Sequence, residues 1–364
     1  MSKKISVMFA GYAPVHFLCF SPIYQILKEI PDVEVTLSGG LRHLGEAGNW
    51  NYDLTGLYSP FGIPEEEMVE VDELENRSFD IAFGAQTNLI AADRAKKRIQ
   101  IFHGISFRNR AVRPENMGCD HYFLAGPYMQ RAFANAGLMQ PGDPRGLQIG
   151  FPKTDALLNG TLNRQTLLEK FGFDGSRPVI LYAPTGQKRN SLETMGKAVL
   201  KKLTKADEFD IILKTHDHPK KAVDWGSKLN RFEGPHFRIT GDLDVIPLLF
   251  LADLLITDAS SVSSEYSLLD RPMVFLDVPE LIERAKAKNG AMVDMDTWGR
   301  KGGAIVSDPK KVTKAIRRGL AHPEEFREVR QAMRDDLFFN PGKATEAAEK
   351  WIHQVLLEPM RSKS

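Results

Sequence analysis

Cysteine is nearly absent from this chain. Cys19 and Cys119 are the only two in 364 residues, too few for a disulfide framework and without metal-ligand spacing, so a reducing, cytoplasmic setting is expected. Net charge is almost absent as well: at +1 it argues against a nucleic-acid surface spread over the whole molecule. No apolar run reaches the ~18 residues of a spanning helix. The stretch after Lys3-Lys4 starts like a signal peptide but is broken by Gly11, Tyr12, Pro14 and His16. It reads as a first strand, and any membrane contact would be peripheral. Short-period repeats, heptads and low-complexity tracts are missing too, which leaves a chain long enough for two ordinary globular domains.

What is present is alternation. Residues 5–10 form a β-rich run, 11–14 a turn, 20–30 a helical periodicity and 33–37 a second strand. The grammar continues with a strand at 81–83, a helix over 89–97, strands at 98–102 and 122–124, and a helix through Phe133. After a connection around 146–177 with Leu167-Leu168 in a helical setting, a second series begins: strands at 179–183, 211–213, 237–239, 254–257 and 273–276, with a helix at 192–203. Two βαβ series predict an α/β fold of two facing Rossmann-like domains with parallel sheets. The expected boundaries are 1–155 for an N-terminal Rossmann-like domain and 156–340 for a C-terminal one. A closing segment, 341–364, carries a helix over 343–357 that is available to pack back on the first domain.

Ligands of such sheets lie beyond the C-terminal strand ends, and polar residues gather there at four places. IFHGIS places His103 after an apolar strand and before Gly104, a position suited to general-base work near neutral pH; Arg108, Arg110 and Arg113 follow, fit for an anion or a solvated face. YAPTGQKR ends a strand in a small, hydroxyl-bearing, basic loop with Pro184 and Thr185. KTHDH brings Lys214, His216 and His218 to another tip; no cysteine or further histidine cluster supplies the rest of a coordination shell, so the two histidines read as hydrogen-bond donors to phosphate rather than ligands of one metal. LADLLITDASSVSSEYSLLDRP runs a buried strand into a hydroxyl-rich helix start. There first-turn N–H groups, Ser260 and Ser261 favour an anion, and Asp258 or Ser260 would otherwise serve only as a cap. Glu265, one turn on from Ser261, would accept from a ribose hydroxyl or remain an exposed carboxylate.

In order and spacing, IFHGISFR, GFPKTDALL, ILYAPTGQKR, ILKTHDHP, LADLLITDASSVSSEYSLLDRP and FFNPGKATEAAEKWI resemble the successive motifs of the CDP-glycerol glycerophosphotransferases, the primases and polymerases of teichoic acids and related capsules. The resemblance covers about 100–355, and residues 1–98 share only general character. It implies a GT-B-like enzyme with its active site in the cleft between two Rossmann-type domains. His103 matches the histidine of a His-Gly-Thr-Pro motif, with Ile105 and Ser106 where Thr and Pro are usual; His216 matches that of an Arg/Lys-x-His segment. Thr257, Asp258, Ser260 and Ser261 match Thr-Asp-x-Ser-Ser, Pro184 and Thr185 match an Ala-Pro-Thr loop, and Glu265 stands near an acidic position of the following helix.

The activity so implied moves glycerol phosphate, or a related alditol phosphate, from CDP-glycerol to a hydroxyl of a saccharide or lipid-linked acceptor and releases CMP. His103 and His216 would be catalytic. Pro184, Thr185, Lys214, Thr257, Asp258, Ser260, Ser261 and Glu265 would hold the donor, and Gly11, Gly104, Ser106 and Arg108 the acceptor. No tightly bound cofactor and no nucleic-acid partner are expected, and no residue pattern assigns a divalent metal or an oligomeric state. A lipid-linked acceptor would bring peripheral contact with the inner face of the plasma membrane. The same cleft would suit a GT-B glycosyltransferase or a UDP-sugar 2-epimerase. A non-catalytic nucleotide-binding scaffold would be expected to lose the strand-tip histidines, which this chain keeps.

Overall fold

A computed structural model of the protein describes residues 4–45, 48–86, 89–105, 107–216, 224–290 and 293–362. The chain forms two compact units. The first comprises Met1–Gly104, Ala111–Asp155 and Asp336–Ser364, the second Ile105–Arg110 and Ala156–Asp335. Among the described residues no helix is long and apolar enough to cross a membrane.

The first unit is built on β1 (Ile5–Gly11), β2 (Val33–Gly39), β5 (Met68–Val69), β6 (Phe79–Gly84), β7 (Ala95–Gln100), β8 (His121–Phe123) and β9 (Gly146–Leu147), with a separate antiparallel hairpin of β3 (Leu41–Leu44) and β4 (Trp50–Asp53). The seven main strands are parallel in the order β5-β2-β1-β6-β7-β8-β9. Winding therefore reverses between β1 and β6. Val7 to Ala10 are wholly buried, as expected of a central parallel strand covered on both faces.

The second unit holds β10 (Val179–Tyr182), β11 (Asp210–Lys214), β12 (Phe237–Thr240), β13 (Leu254–Thr257), β14 (Met273–Leu276) and β15 (Ala304–Val306), all parallel, in the order β12-β11-β10-β13-β14-β15. This is the strand order of a dinucleotide-binding sheet, with its switch point between β10 and β13.

Several expectations need correction. The helix expected over 20–30 runs from Pro14 to Lys28, because Pro14 opens it from the first helical position. Pro22 inside it deprives the Leu18 carbonyl of an N–H donor, and the Ser21 hydroxyl donates to that carbonyl at 3.3 Å. Residues 89–97 are not a helix: only a 3₁₀ turn, Ala92–Arg94, precedes β7. Ala91 sits in the left-handed region (φ 49°), and the Lys96 ammonium reaches Asp80 on adjacent β6 at 2.7 Å, which favours extended pairing. The segment 146–177 contributes β9 and the helix Arg164–Phe171. The helix expected at 192–203 starts with a π-turn, Leu192–Gly196, before Lys197–Ala206.

The closing residues complete the first unit. The buried Asp155 carboxylate accepts from the N–H groups of Ala344 (3.0 Å) and Thr345 (2.7 Å), the first turn of the helix Ala344–Trp351. Trp351 lies edge-on to Phe123 of β8, and Arg361 forms a two-point ion pair with Asp32. Burial pushes the Asp155 carboxyl up despite the two N–H donors.

Candidate functional site

At the switch point of the second sheet the loops after β10 and β13 are tied together by one carboxylate. Asp258 is wholly buried. Its Oδ1 accepts from the N–H groups of Thr185 (2.9 Å) and Ala259 (2.7 Å), and its Oδ2 from the N–H (2.9 Å) and hydroxyl (2.8 Å) of Ser191. Tyr182 at the end of β10 donates to the Ser191 hydroxyl at 2.9 Å; burial pushes its phenol well up, so it remains a donor. The Thr257 hydroxyl, also wholly buried, donates to the Ala183 carbonyl at 2.7 Å. Thr257 and Asp258 are thus turned inward, and what they contribute is the position of the tips rather than a surface for a ligand.

Ser260 and Ser261 behave differently. Both are half-buried, and among the described residues neither hydroxyl makes a hydrogen bond. The N–H groups of Ser260, Ser261 and Val262 likewise find no acceptor there. The helix that follows, Val262–Tyr266, is only five residues long and gives way to a 3₁₀ turn, Ser267–Leu269, so its macrodipole is slight. Local N–H and O–H donors are what this tip offers an anion. Glu265 is buried rather than a solvated helix carboxylate.

The loop after β10 also meets the tip of β11. A Cβ at Gly186 would lie 2.5 Å from Cγ of His216, so glycine is what lets the loop lie against that imidazole. His216 is exposed, whereas Lys214 is buried and donates to the Thr215 carbonyl at 2.9 Å. Pro184 and Thr185, at the start of that loop, are buried. Of its two cations, Lys188 is exposed and Arg189 is held by Glu280 in a two-point ion pair at 2.6 and 2.7 Å. His218 lies outside the described residues.

The tips of the first sheet hold a pair of histidines. His103 Nδ1 lies 2.6 Å from the Ala85 carbonyl just past β6. A carbonyl only accepts, so Nδ1 carries the proton and Nε2 is the basic nitrogen of the neutral ring. The Ala85 peptide is itself fixed: its N–H donates to the Gln86 side chain at 3.1 Å, and Gln100 Nε2 donates to the Gln86 carbonyl at 2.8 Å. The His16 ring stands 5.0 Å from that of His103, centroid to centroid. His16 is buried, its Nδ1 accepts from Tyr12 N–H at 3.1 Å, and burial, with the charges of His103 and Arg42, holds its pKa well below the usual value. The Arg42 guanidinium lies 3.9 Å from the Tyr12 ring centroid and 4.2 Å from that of Trp50. Gly11 ends β1 beside His16: a Cβ there would approach that of His16 to 3.0 Å. None of His16, Gln86, Gln100 and Arg42 carries a sequence signal beyond lying near a strand end.

Arg108, expected on the acceptor domain with Gly11 and Gly104, belongs to the second unit. Phe107 packs with Ala259, Val278, Leu281 and Ile282, and its carbonyl accepts from Asp294 N–H at 2.7 Å, which anchors the segment there. Ser106 lies outside the described residues. Among the described residues no cluster of three or more His, Cys, Asp or Glu suits a metal ion.

The sequence model of a family described as CDP-Glycerol:Poly(glycerophosphate) glycerophosphotransferase matches residues 84–355. The teichoic acid poly(glycerol phosphate) polymerase of Staphylococcus epidermidis is 26% identical over 261 residues, 68% of this chain and 35% of its own. The teichoic acid glycerol-phosphate primase of Bacillus spizizenii is 30% identical over 132 residues, 35% of this chain and 33% of its own. The chain spans about a third of the length of these two relatives. The solved structure of a variant of the wall teichoic acid polymerase TagF, soaked with CDPG, aligns with a TM-score of 0.68 at 20% identity, covering 98% of this chain and 89% of that one. The fold is accordingly the α/β, GT-B-like one of two Rossmann-type units.

Proposed function

The chain belongs to the CDP-glycerol:poly(glycerophosphate) glycerophosphotransferase family, and from that premise we propose that it transfers glycerol phosphate from CDP-glycerol to an acceptor hydroxyl in teichoic-acid-like polymer synthesis. One observation carries the reading. At the switch point of the second sheet, Asp258 ties together the loops after β10 and β13, while the hydroxyls of Ser260 and Ser261 and the N–H groups of Ser260, Ser261 and Val262 have no hydrogen-bond partner among the described residues.

In this reading the second unit holds the donor. Ser260, Ser261 and the adjoining N–H groups hydrogen-bond the diphosphate, His216 and Lys214 add donors beside it, Pro184 and Thr185 shape the loop, and Glu265 lies toward the ribose. The first unit holds the acceptor near Gly11, Gly104 and His103. His103 Nε2 takes the proton of the acceptor hydroxyl as its oxygen bonds to the β-phosphorus. The bond from that phosphorus to the bridging oxygen breaks, CMP departs with the electron pair, and a phosphodiester remains. The physical difficulty is an oxygen approaching an anionic phosphorus while charge collects on the leaving phosphate, and fixed donors at the diphosphate oppose that charge. A lipid-linked acceptor would place the reaction at the inner face of a membrane.

The test is CMP release from CDP-glycerol over a panel of saccharide and lipid-linked acceptors. His103→Ala is expected to lower turnover by about 100-fold or more, and His216→Ala by a comparable factor of about 100 to 1,000, with melting temperatures unchanged. Near-parental turnover in His103→Ala would show the base to be another group. CMP release with no acceptor in the panel would refute the transfer itself.

A further inference from the structure

His16 is a buried imidazole beside His103, both in the first unit, and it is not the group that takes the acceptor's proton. Its Nδ1 is occupied: the Tyr12 N–H donates to it at 3.1 Å, and the Tyr12 ring stands edge-on to the imidazole, 4.4 Å between centroids. A neutral ring that accepts at Nδ1 carries its proton on Nε2. Burial, with the charges of His103 and Arg42, keeps the ring neutral. The Nε2–H makes no hydrogen bond among the described residues. Gln86 Nε2 and Gln100 Oε1 are sealed there without a partner, whereas His16 Nε2 is not sealed, although the residue is only 3% exposed.

The two neighbouring imidazoles are therefore opposite tautomers. His103 holds its proton on Nδ1, against the Ala85 carbonyl, and presents an unprotonated Nε2; His16 presents an Nε2–H. Their centroids are 5.0 Å apart and their planes meet at 62°. An oxygen at the usual ~2.9 Å from each Nε2 can bridge rings at such a separation. A hydroxyl matches the pair, with one hydrogen to give and two lone pairs to receive. Capping the helix Pro14–Lys28 accounts for the bond from Tyr12 to His16 Nδ1. It does not account for a second polar hydrogen kept in a buried ring, which an aspartate cap would lack.

We propose that His16 is a second imidazole of the acceptor site, whose Nε2–H donates to the same hydroxyl oxygen that gives its proton to His103 Nε2. The inference rests on the transferase reading. The hydroxyl is then held at two of its three positions, and only the remaining lone pair faces the phosphorus, which fixes its line of approach. As that lone pair forms the bond to phosphorus, the hydroxyl proton passes to His103 Nε2. The bond to the bridging oxygen breaks, CMP takes its electron pair, and His16 keeps its proton throughout. A neutral ring suits this place, because a cation there would oppose the charge that His103 acquires.

Two substitutions in the full chain separate the two nitrogens. His16→Asn keeps an acceptor for the Tyr12 N–H and drops the Nε2 donor; His16→Gln carries an amide N–H to the Nε2 position and gives up the Tyr12 N–H. With those members of the saccharide and lipid-linked panel that support CMP release, kcat/KM for the acceptor should fall ~10-fold in His16→Asn and stay within about 3-fold of the parent in His16→Gln. The KM for CDP-glycerol should hold in both. The reverse order, which a cap alone would give, or parental values in both variants would overturn the proposal. Nitrogen NMR of the histidine-labelled chain near neutral pH reads the tautomers without turnover, with signals assigned from the spectra of His16→Gln and His103→Ala. His16 should be protonated at Nε2 and His103 at Nδ1. A parent that transfers but carries the His16 proton on Nδ1 loses the bridge alone. One with both tautomers in place that releases no CMP with any acceptor loses the transferase reading, and the bridge with it.

Discussion

Asp258→Ala is the substitution whose cost follows most directly from the hydrogen bonds. It removes the acceptor for the N–H groups of Thr185, Ala259 and Ser191 and for the Ser191 hydroxyl, all within a wholly buried site. Each stranded backbone donor costs about 1–3 kcal/mol, and the hydroxyl less because it rotates. Partial relaxation leaves a total of about 3–6 kcal/mol, a large share of the ~5–15 kcal/mol that holds a typical protein folded. For a domain of this size about 2–4 °C is lost per kcal/mol, so the second unit should melt on the order of 10–20 °C lower. Asp258→Asn keeps the shape and one acceptor oxygen. Turned toward Thr185 and Ala259, it strands chiefly the Ser191 N–H, for about 1–3 kcal/mol. Scanning calorimetry of the three proteins orders them parent, Asn, Ala, and the melting increment given by CDP-glycerol should fall in the same order as the loops after β10 and β13 lose their registration. An alanine variant melting within ~2 °C of the parent would refute the reasoning, because three buried N–H groups cannot lose their acceptor at so small a cost.

His16 ties the stability of the first unit to pH. Its pKa is lower folded than unfolded, so the unfolded chain binds the proton first; the contribution is complete above about pH 6.5 and drains away as pH falls below it, by at most ~1.4 kcal/mol per pH unit. Unfolding free energies between pH 5 and 7 should show a shallower slope in His16→Gln, and superimposable curves would exclude the assignment. Gly186→Ala puts a methyl 2.5 Å from Cγ of His216 and should displace the imidazole, shrinking the CDP-glycerol thermal shift while the unliganded melting temperature stays within a few degrees; an unaltered shift would separate His216 from the donor.

Both sheets are legible in the sequence because their central strands, such as Val7 to Ala10 and Leu254 to Thr257, are buried on both faces and read as unbroken apolar runs. Short edge elements are not: β5 and β9 are two residues each, and their pairing partners rather than their composition make them strands. Residues 89–97 mislead because the alanines and lysines favour helix while the Lys96–Asp80 pair belongs to a sheet. At the candidate site, Thr257 to Ser261 mark the right place, but composition does not say which side chains turn inward. That is decided by Ser191 and Thr185, 67 and 73 residues away. His16 stands beside His103 because β1 and β7, which lead to them, flank β6 on its two sides, and Arg108 joins the second unit because Phe107 finds an apolar seat there.

The bonds from Asp155 to Ala344 and Thr345 bear on how the protein is made. Ribosomes add ~5–20 residues per second, so roughly 10–40 s separate synthesis of that aspartate from synthesis of the helix it anchors. Through that interval the early sheet waits with an uncovered flank around Phe123, while the later one is already able to collapse. Nascent chains halted before residue 336 should therefore expose apolar surface that full-length chains conceal, and chaperone occupancy would be greatest in that window.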